Sequence, residues 1–168
     1  MRSGALPRTV FNHLLAGLMP ANALAIEVSL NYGMRIGDVL KLHVSDVEKG
    51  RFTYKEEKTG KPRRVTLSRE MQTRLLAQSG RVWVFEHRLD WRKHRTRQAV
   101  YKDLKRIARA FRLERGCSPH SARKTYSVER YKEFGGDLKR VQRLLNHSSE
   151  AVTMLYAMAE DLTEKMKK

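Results

Sequence analysis

Acidic residues are scarce in this chain. Its 168 residues hold 18 Asp and Glu against 35 Lys and Arg, a formal net charge of +17. Folding does not ask for such an excess, because self-repulsion opposes a compact state. The usual reason is a polyanionic partner, and nucleic acid comes first. An acidic membrane surface would call for one basic amphipathic helix backed by bulky apolar residues, whereas here the positive charge runs along the whole chain. Cysteine is almost absent: Cys117 stands alone. An internal disulfide is therefore excluded, no cysteine–histidine cluster has zinc-finger spacing, and a reducing cytosol is the expected compartment. Long apolar runs are missing too. The richest, Ala21 to Leu30, is broken by Asn22, Glu27 and Ser29, too short and too polar to cross a bilayer. No apolar stretch follows Arg2, so the N-terminus is not a secretory signal. What remains is one domain's worth of chain, long enough to bury roughly 70% of its unfolded surface without a staple.

The pattern of residues predicts a mainly helical α+β domain. The first ten residues, with Gly4 and Pro7, read as the loose start of a lead-in segment over 1–19. Pro20 suits the first turn of a helix, and Leu24, Ala25, Val28 and Tyr32 recur at helical spacing up to Gly33, which fits a left-handed helix stop. A short helix is expected over Ile36–Leu42. Arg51–Glu57 and Arg63–Leu67 read as two strands joined by the Lys58-Thr59-Gly60-Lys61 turn. Ser68 can cap a helix reaching Gln78. Val82–Phe85 resembles a third strand, and the basic stretch from His87 to Arg97 a solvated loop. Val100, Leu104, Ile107, Ala108 and Phe111 mark one face of an amphipathic helix. Ser118-Pro119 opens another helix that runs to Gly135, Asp137 opens the next, and Ser148 or Ser149 can cap one that holds Tyr156. The expected architecture is a compact helical domain over 20–158, with one small antiparallel sheet near its N-terminal third and a polar tail over 159–168.

Several charged and polar side chains fall at element boundaries: Arg35 and Asp38 after the Gly33 stop, Lys58 in the turn, His120 and Arg123 at a helix start, His147 after a helix end, and Tyr156 nine positions later. Singly, each has a bland reading. Arg35 and Lys58 would be surface charges, His120 and Arg123 a solvated face, and Tyr156 a core aromatic beside Val152 and Leu155. Their order is another matter. Gly33-Met34-Arg35-Ile36-Gly37-Asp38 resembles the first arginine box of the tyrosine recombinases (phage integrases), with Asp38 where glutamate is common. Glu57-Lys58-Thr59-Gly60-Lys61 resembles the family's lysine hairpin, and His120-Ser121-Ala122-Arg123 its His-x-x-Arg box. Leu145-Asn146-His147-Ser148 through Tyr156 resembles the histidine and tyrosine box, with Asn146 in place of glycine.

The resemblance implies a catalytic domain that cuts and rejoins double-stranded DNA through a bond between Tyr156 and a 3′ phosphate, with no cofactor and no metal. It implies Tyr156 as nucleophile, His120 as its base, Arg35, Arg123 and His147 as donors to the phosphate oxygens, Lys58 as acid for the leaving oxygen, and Asp38 as a brace. Tyrosine, with an ordinary pKa of about 10, needs such help. Arginine forks match phosphate oxygens. It implies a cytoplasmic, nucleoid-associated protein without a membrane, self-associating on DNA as the family's tetramers do, and places the family's N-terminal clamp domain outside this sequence. Expected DNA contacts are Lys61, Arg63 and Arg64 on the hairpin, Arg92, Lys93, Arg95 and Arg97 in the basic loop, and Lys102, Lys105, Arg106 and Arg109 on the amphipathic helix. The competing classes are a catalytically silent DNA-binding relative, a type IB topoisomerase-like enzyme and a basic RNA-binding factor; the last explains the charge but not the ordered boxes.

Overall fold

The computed structural model describes residues 4–113 and 117–145. Helices α1 (Arg8–Gly17), α2 (Pro20–Tyr32), α3 (Ile36–Leu40) and α4 (Val44–Glu48) lead into an antiparallel hairpin, β1 (Arg51–Lys55) and β2 (Pro62–Thr66). Helix α5 (Arg69–Gln78), a second hairpin of β3 (Glu86–His87) and β4 (Asp90–His94), and helices α6 (Arg97–Ala110), α7 (Pro119–Glu133) and α8 (Leu138–Leu144) follow.

Helix α2 is the axis of the domain. Ala25, Ile26, Val28 and Leu30 are buried on several of its sides, and α1, α3, α6 and α7 all pack against it. That position explains its apolar sequence: a helix covered all round has no polar face to keep. It ends as its sequence predicts, at Gly33 in the left-handed region with φ 62°. The stop turns the chain sharply and delivers Arg35 to the start of α3.

The hairpin β1–β2 pairs Phe52 with Val65 and Tyr54 with Arg63. Period-two alternation sends Phe52, Val65 and Leu67 into the core. Ser68 caps α5 by accepting from the Met71 amide at 3.2 Å, and Asp137 caps α8 through the Arg140 amide at 2.9 Å. Thr96 caps α6 by accepting from the Ala99 amide at 3.2 Å.

Two expectations need correction. The described part of the lead-in, residues 4–19, is not loose, because α1 begins at Arg8 and its Phe11 and Leu14 are fully buried. It is bound to α7 as well: Arg8 pairs with Glu129 at 2.7 Å, and the Leu6 amide donates to Thr125 Oγ1 at 3.1 Å. The region from Val82 to Arg97 is the second correction. Val84 and Phe85 drop into the core, and in place of a strand Trp83 pairs with His43 as an isolated bridge. The strands lie further on, in the expected basic loop, as the hairpin β3–β4. The Trp83 indole fastens it by donating to the Arg92 carbonyl at 3.1 Å. Among the described residues the domain thus carries the expected small antiparallel sheet, β1–β2, and a second, β3–β4.

Candidate active site

Four sequence-distant pieces of chain meet around one cleft of about 420 Å³. It is lined by Arg35, Gly37 and Asp38 from α3 and its approach, by Glu57 and Lys58 from the β1–β2 turn, by Arg97 from the start of α6, and by His120 and Arg123 from α7. The structure therefore brings together four of the six expected catalytic residues and the expected brace. His147 and Tyr156 lie outside the described residues.

Local structure explains each placement. Arg35 stands at the N-cap of α3 in extended conformation. Pro119 starts α7, so His120 falls on its first turn and Arg123 at the start of the second, three positions on and on the same face. Asp38 is 5% exposed, and its Oδ1 accepts from the Glu57 amide at 3.0 Å. That bond ties α3 to the turn beside Lys58. Burial raises the Asp38 carboxyl above its usual range, partly offset by the Glu57 amide and by the nearby Arg35. Lys58 is exposed at the cleft rim, and His120 is exposed as well.

Beneath this rim lies a charge cluster. Arg123 is 1% exposed. It donates to the Gly33 carbonyl and, at 3.2 Å, to the Leu145 carbonyl at the end of α8. Burial, with the neighbouring charges of Arg35 and Arg63, pushes its pKa down to about 10, so it stays a cation at neutral pH. Arg63, expected on the DNA-facing side of the hairpin, instead points inward. It is 7% exposed and donates to the Gly33 carbonyl at 2.9 Å and to the Tyr32 carbonyl at 2.5 Å. The reason is strand parity: Arg63 shares its side of β2 with Val65.

The anion at the centre is Glu56, which the sequence reading passed over. It is fully buried. Its Oε2 lies 2.9 Å from Arg35 Nη1 and accepts from Thr59 Oγ1 at 2.8 Å. Its Oε1 lies 3.7 Å from Nη1 of Arg63 and 3.7 Å from Nη1 of Arg123. Burial pushes this carboxyl up, but Arg35, Thr59 and the charge of Arg123 outweigh it and hold the pKa below the usual glutamate value. A signal was present: Glu56 has the same parity as Phe52 and Tyr54, which also turn inward.

The other expected DNA contacts divide by location. Lys61 and Arg64 are exposed on the hairpin. Arg92 lies over the Trp91 ring at 5.5 Å, and Lys93 pairs with Asp90 at 3.2 Å. Arg95 reaches inward to Asn22 Oδ1 at 3.3 Å, so it is committed to the α2–α6 contact. Arg97 lines the cleft itself. Lys102, Lys105, Arg106 and Arg109 line one groove along α6, where Arg106 also pairs with Asp103 at 2.7 Å. Among the described residues no helix is long and apolar enough to cross a membrane.

A helix-rich domain whose cleft gathers Arg35, Lys58, His120 and Arg123, in that order along the chain, has the make-up of a tyrosine recombinase catalytic domain. The comparisons agree: the phage integrase family model matches residues 11–162, and the chain belongs to that family. A probable integrase/recombinase, YoeC, from Bacillus subtilis is 32% identical over 148 residues, covering 80% of this chain and 76% of that protein. The integrase of Escherichia phage P2 is 28% identical and covers 92% of this chain, which spans only 43% of that protein. Among solved structures, a lambda integrase fragment bound as a dimer to a core site shares the fold, with TM-score 0.72 at 20% identity over 89% of this chain and 59% of the other. The catalytic domain of bacteriophage HP1 integrase gives TM-score 0.68 at 23% identity over 94% and 88%.

Proposed function

We propose that this chain cleaves and rejoins double-stranded DNA as the catalytic domain of a site-specific recombinase, with Tyr156 as the nucleophile. The observation that carries the reading is the single cleft that unites Arg35, Lys58, His120 and Arg123 from separate parts of the sequence.

The step balances without an external energy source. Tyr156 Oη attacks phosphorus and gives its proton to His120. A bond forms between Oη and phosphorus, and the bond to the 5′ oxygen breaks. That oxygen takes a proton from Lys58, which stands on the exposed turn. Arg35 and Arg123 face the charge that grows on the non-bridging oxygens, a role in which fixed donors outperform water. His147 adds a further donor. The phosphotyrosine bond conserves the energy of the broken diester, so the reverse attack by a 5′ hydroxyl reseals the strand. Exchange between two duplexes requires more than one copy on DNA, and self-association there belongs to the same proposal. The exposed cations Lys61, Arg64, Arg92, Lys93, Lys102, Arg106 and Arg109, with the half-buried Lys105 and with Arg97 at the cleft, are the proposed contacts to DNA.

The test is relaxation of a supercoiled plasmid in EDTA. The wild-type chain should relax it and Tyr156→Phe should not. Relaxation retained by Tyr156→Phe would overturn the mechanism.

A further inference from the structure

We propose that Glu56 is a positioning residue for the cleavage reaction, a buried carboxylate that fixes the guanidiniums of Arg35 and Arg123 at the floor of the cleft. The inference rests on the reading of this cleft as the DNA-cleaving site.

The arrangement is specific. One fully buried carboxylate stands among three guanidiniums, at 2.9 Å from that of Arg35 and 3.7 Å from those of Arg63 and Arg123. Arg35 and Arg123 line the cleft, whereas Glu56 and Arg63 do not. The carboxylate therefore works from behind, out of reach of a bound phosphate. It is itself held: Thr59 donates to Oε2, and the Glu56 backbone is locked into the turn by a hydrogen bond from its N–H to the Lys61 carbonyl at 3.0 Å and by another from the Gly60 N–H to its own carbonyl at 2.8 Å. Behind the arginines, the Gly33 carbonyl accepts from both Arg63 and Arg123. The end of α2 and the carboxylate thus form one anionic seat for the cationic wall of the cleft.

Simple electrostatics makes this placement costly for binding. A negative charge behind two phosphate-binding arginines weakens their pull on DNA. Among the described residues, the guanidiniums of Arg35, Arg63 and Arg123 outnumber the carboxylates of Glu56 and Asp38, so the cluster is positive, but less so than without Glu56. What the carboxylate supplies in return is geometry. Long arginine side chains lose much rotamer freedom when they are fixed, and fixed donors are what stabilise charge in a transition state. The two effects have opposite signs, and this makes the proposal testable. If Glu56 were only an unfavourable charge, its removal would tighten DNA binding and leave cleavage equal or faster. If it positions the arginines, its removal leaves binding equal or tighter and slows cleavage.

The experiment compares wild type, Glu56→Gln and Glu56→Asp as full chains. Glutamine keeps the size and loses the charge, while aspartate keeps the charge on a shorter arm. Three readouts are taken: affinity for a short DNA duplex, the rate of plasmid relaxation at saturating protein in EDTA, and NMR of nitrogen-labelled arginine side chains, with the Arg35 signals assigned by their loss in Arg35→Lys. Glu56→Gln is expected to bind the duplex at least as well as wild type and to relax the plasmid roughly 10- to 100-fold more slowly. Its Arg35 guanidinium signals should collapse toward those of a freely rotating group. Glu56→Asp should recover a large part of the rate and of the Arg35 signal.

Unchanged rates in Glu56→Gln at equal binding would overturn the proposal, as would unchanged Arg35 signals. Should the glutamine variant fail to fold, the wild-type spectrum carries the test: an Arg35 guanidinium that already rotates freely beside Glu56 would overturn the proposal equally. If wild type itself leaves the plasmid supercoiled, the reading of the cleft fails. The arginine spectra then still decide whether Glu56 fixes Arg35.

Discussion

At the scale of single residues, the charge cluster governs both stability and chemistry. A buried ion pair is a weak gain when intact, but stripping out one partner leaves an uncompensated charge. Glu56→Ala would leave Arg35, Arg63 and Arg123 facing one another, and it should destabilise the domain by about 3–5 kcal/mol in urea unfolding. A loss below about 1 kcal/mol would show that the arginines find other partners. The pH dependence has a definite sign. The Glu56 carboxyl is held below its ordinary value of 4.5, so the folded state binds that proton less readily than the unfolded chain. Its stabilisation is complete above the ordinary value and fades as pH falls through the depressed one. The gap in melting temperature between wild type and Glu56→Gln should therefore narrow as pH is lowered from neutral through that range. A gap that stays constant would argue that the charge of Glu56 contributes nothing. The sequence made Arg35, Lys58, His120 and Arg123 legible through their ordered motifs. It did not make Glu56 legible in the same way, since a glutamate between Lys55 and Glu57 looks like one more surface charge. Only strand parity with Phe52 and Tyr54, or with Val65 and Leu67 for Arg63, marks the pair as inward.

At the scale of elements, the stop of α2 and the β1–β2 turn do most to shape the cleft. Gly33 has φ +62°, and a Cβ there would lie 2.3 Å from the Tyr126 ring of α7. Gly33→Ala meets strain and collision together, so a loss of at least 1–3 kcal/mol is expected by thermal or urea unfolding. Because the Gly33 carbonyl holds Arg63 and Arg123, the same variant should lose more activity than its residual folded fraction explains. A variant as stable as wild type would contradict the packing of α7 on α2. Asp38→Asn tests the second device. It weakens the bond to the Glu57 amide, and hydrogen exchange at that amide should speed up while exchange in the centre of α2 stays protected. Elements with strong periodicity and a cap, such as α2, α5, α6 and α7, were readable. Helix α1 was readable in principle, since Phe11, Leu14 and Leu18 recur on one face after Pro7, but the glycine and proline before it suggested a loose segment. The β3–β4 hairpin offered no such pattern. Its strands are polar and short, and they are held by backbone pairing and by the Trp83 indole rather than by an apolar face.

At the scale of the whole molecule, the charge of +17 sets how the domain meets DNA. The cations that remain at the surface are spread over the β1–β2 hairpin, the β3–β4 hairpin and the groove of α6, while Arg63, Arg95 and Arg123 are spent inside. Affinity for a duplex should fall steeply with salt, since each neutralised phosphate contributes a slope of about −0.9 in log affinity against log salt. Replacing Lys102, Lys105 and Arg109 together by alanine should reduce that slope by about 3 if each meets a phosphate. An unchanged slope would move the DNA off α6.

The central claim is chemical, and one measurement reaches it directly. The protein is incubated in EDTA with a duplex that carries its target site and a nick close to the cleavage point, so that the short fragment diffuses away and the covalent intermediate accumulates. After denaturation and proteolysis, the nucleotide-bearing peptide is identified by mass spectrometry. The expected result is a single adduct, a 3′ phosphate joined to Tyr156, absent from Tyr156→Phe. An adduct on any other residue, or the same adduct in Tyr156→Phe, would contradict tyrosine chemistry at this site.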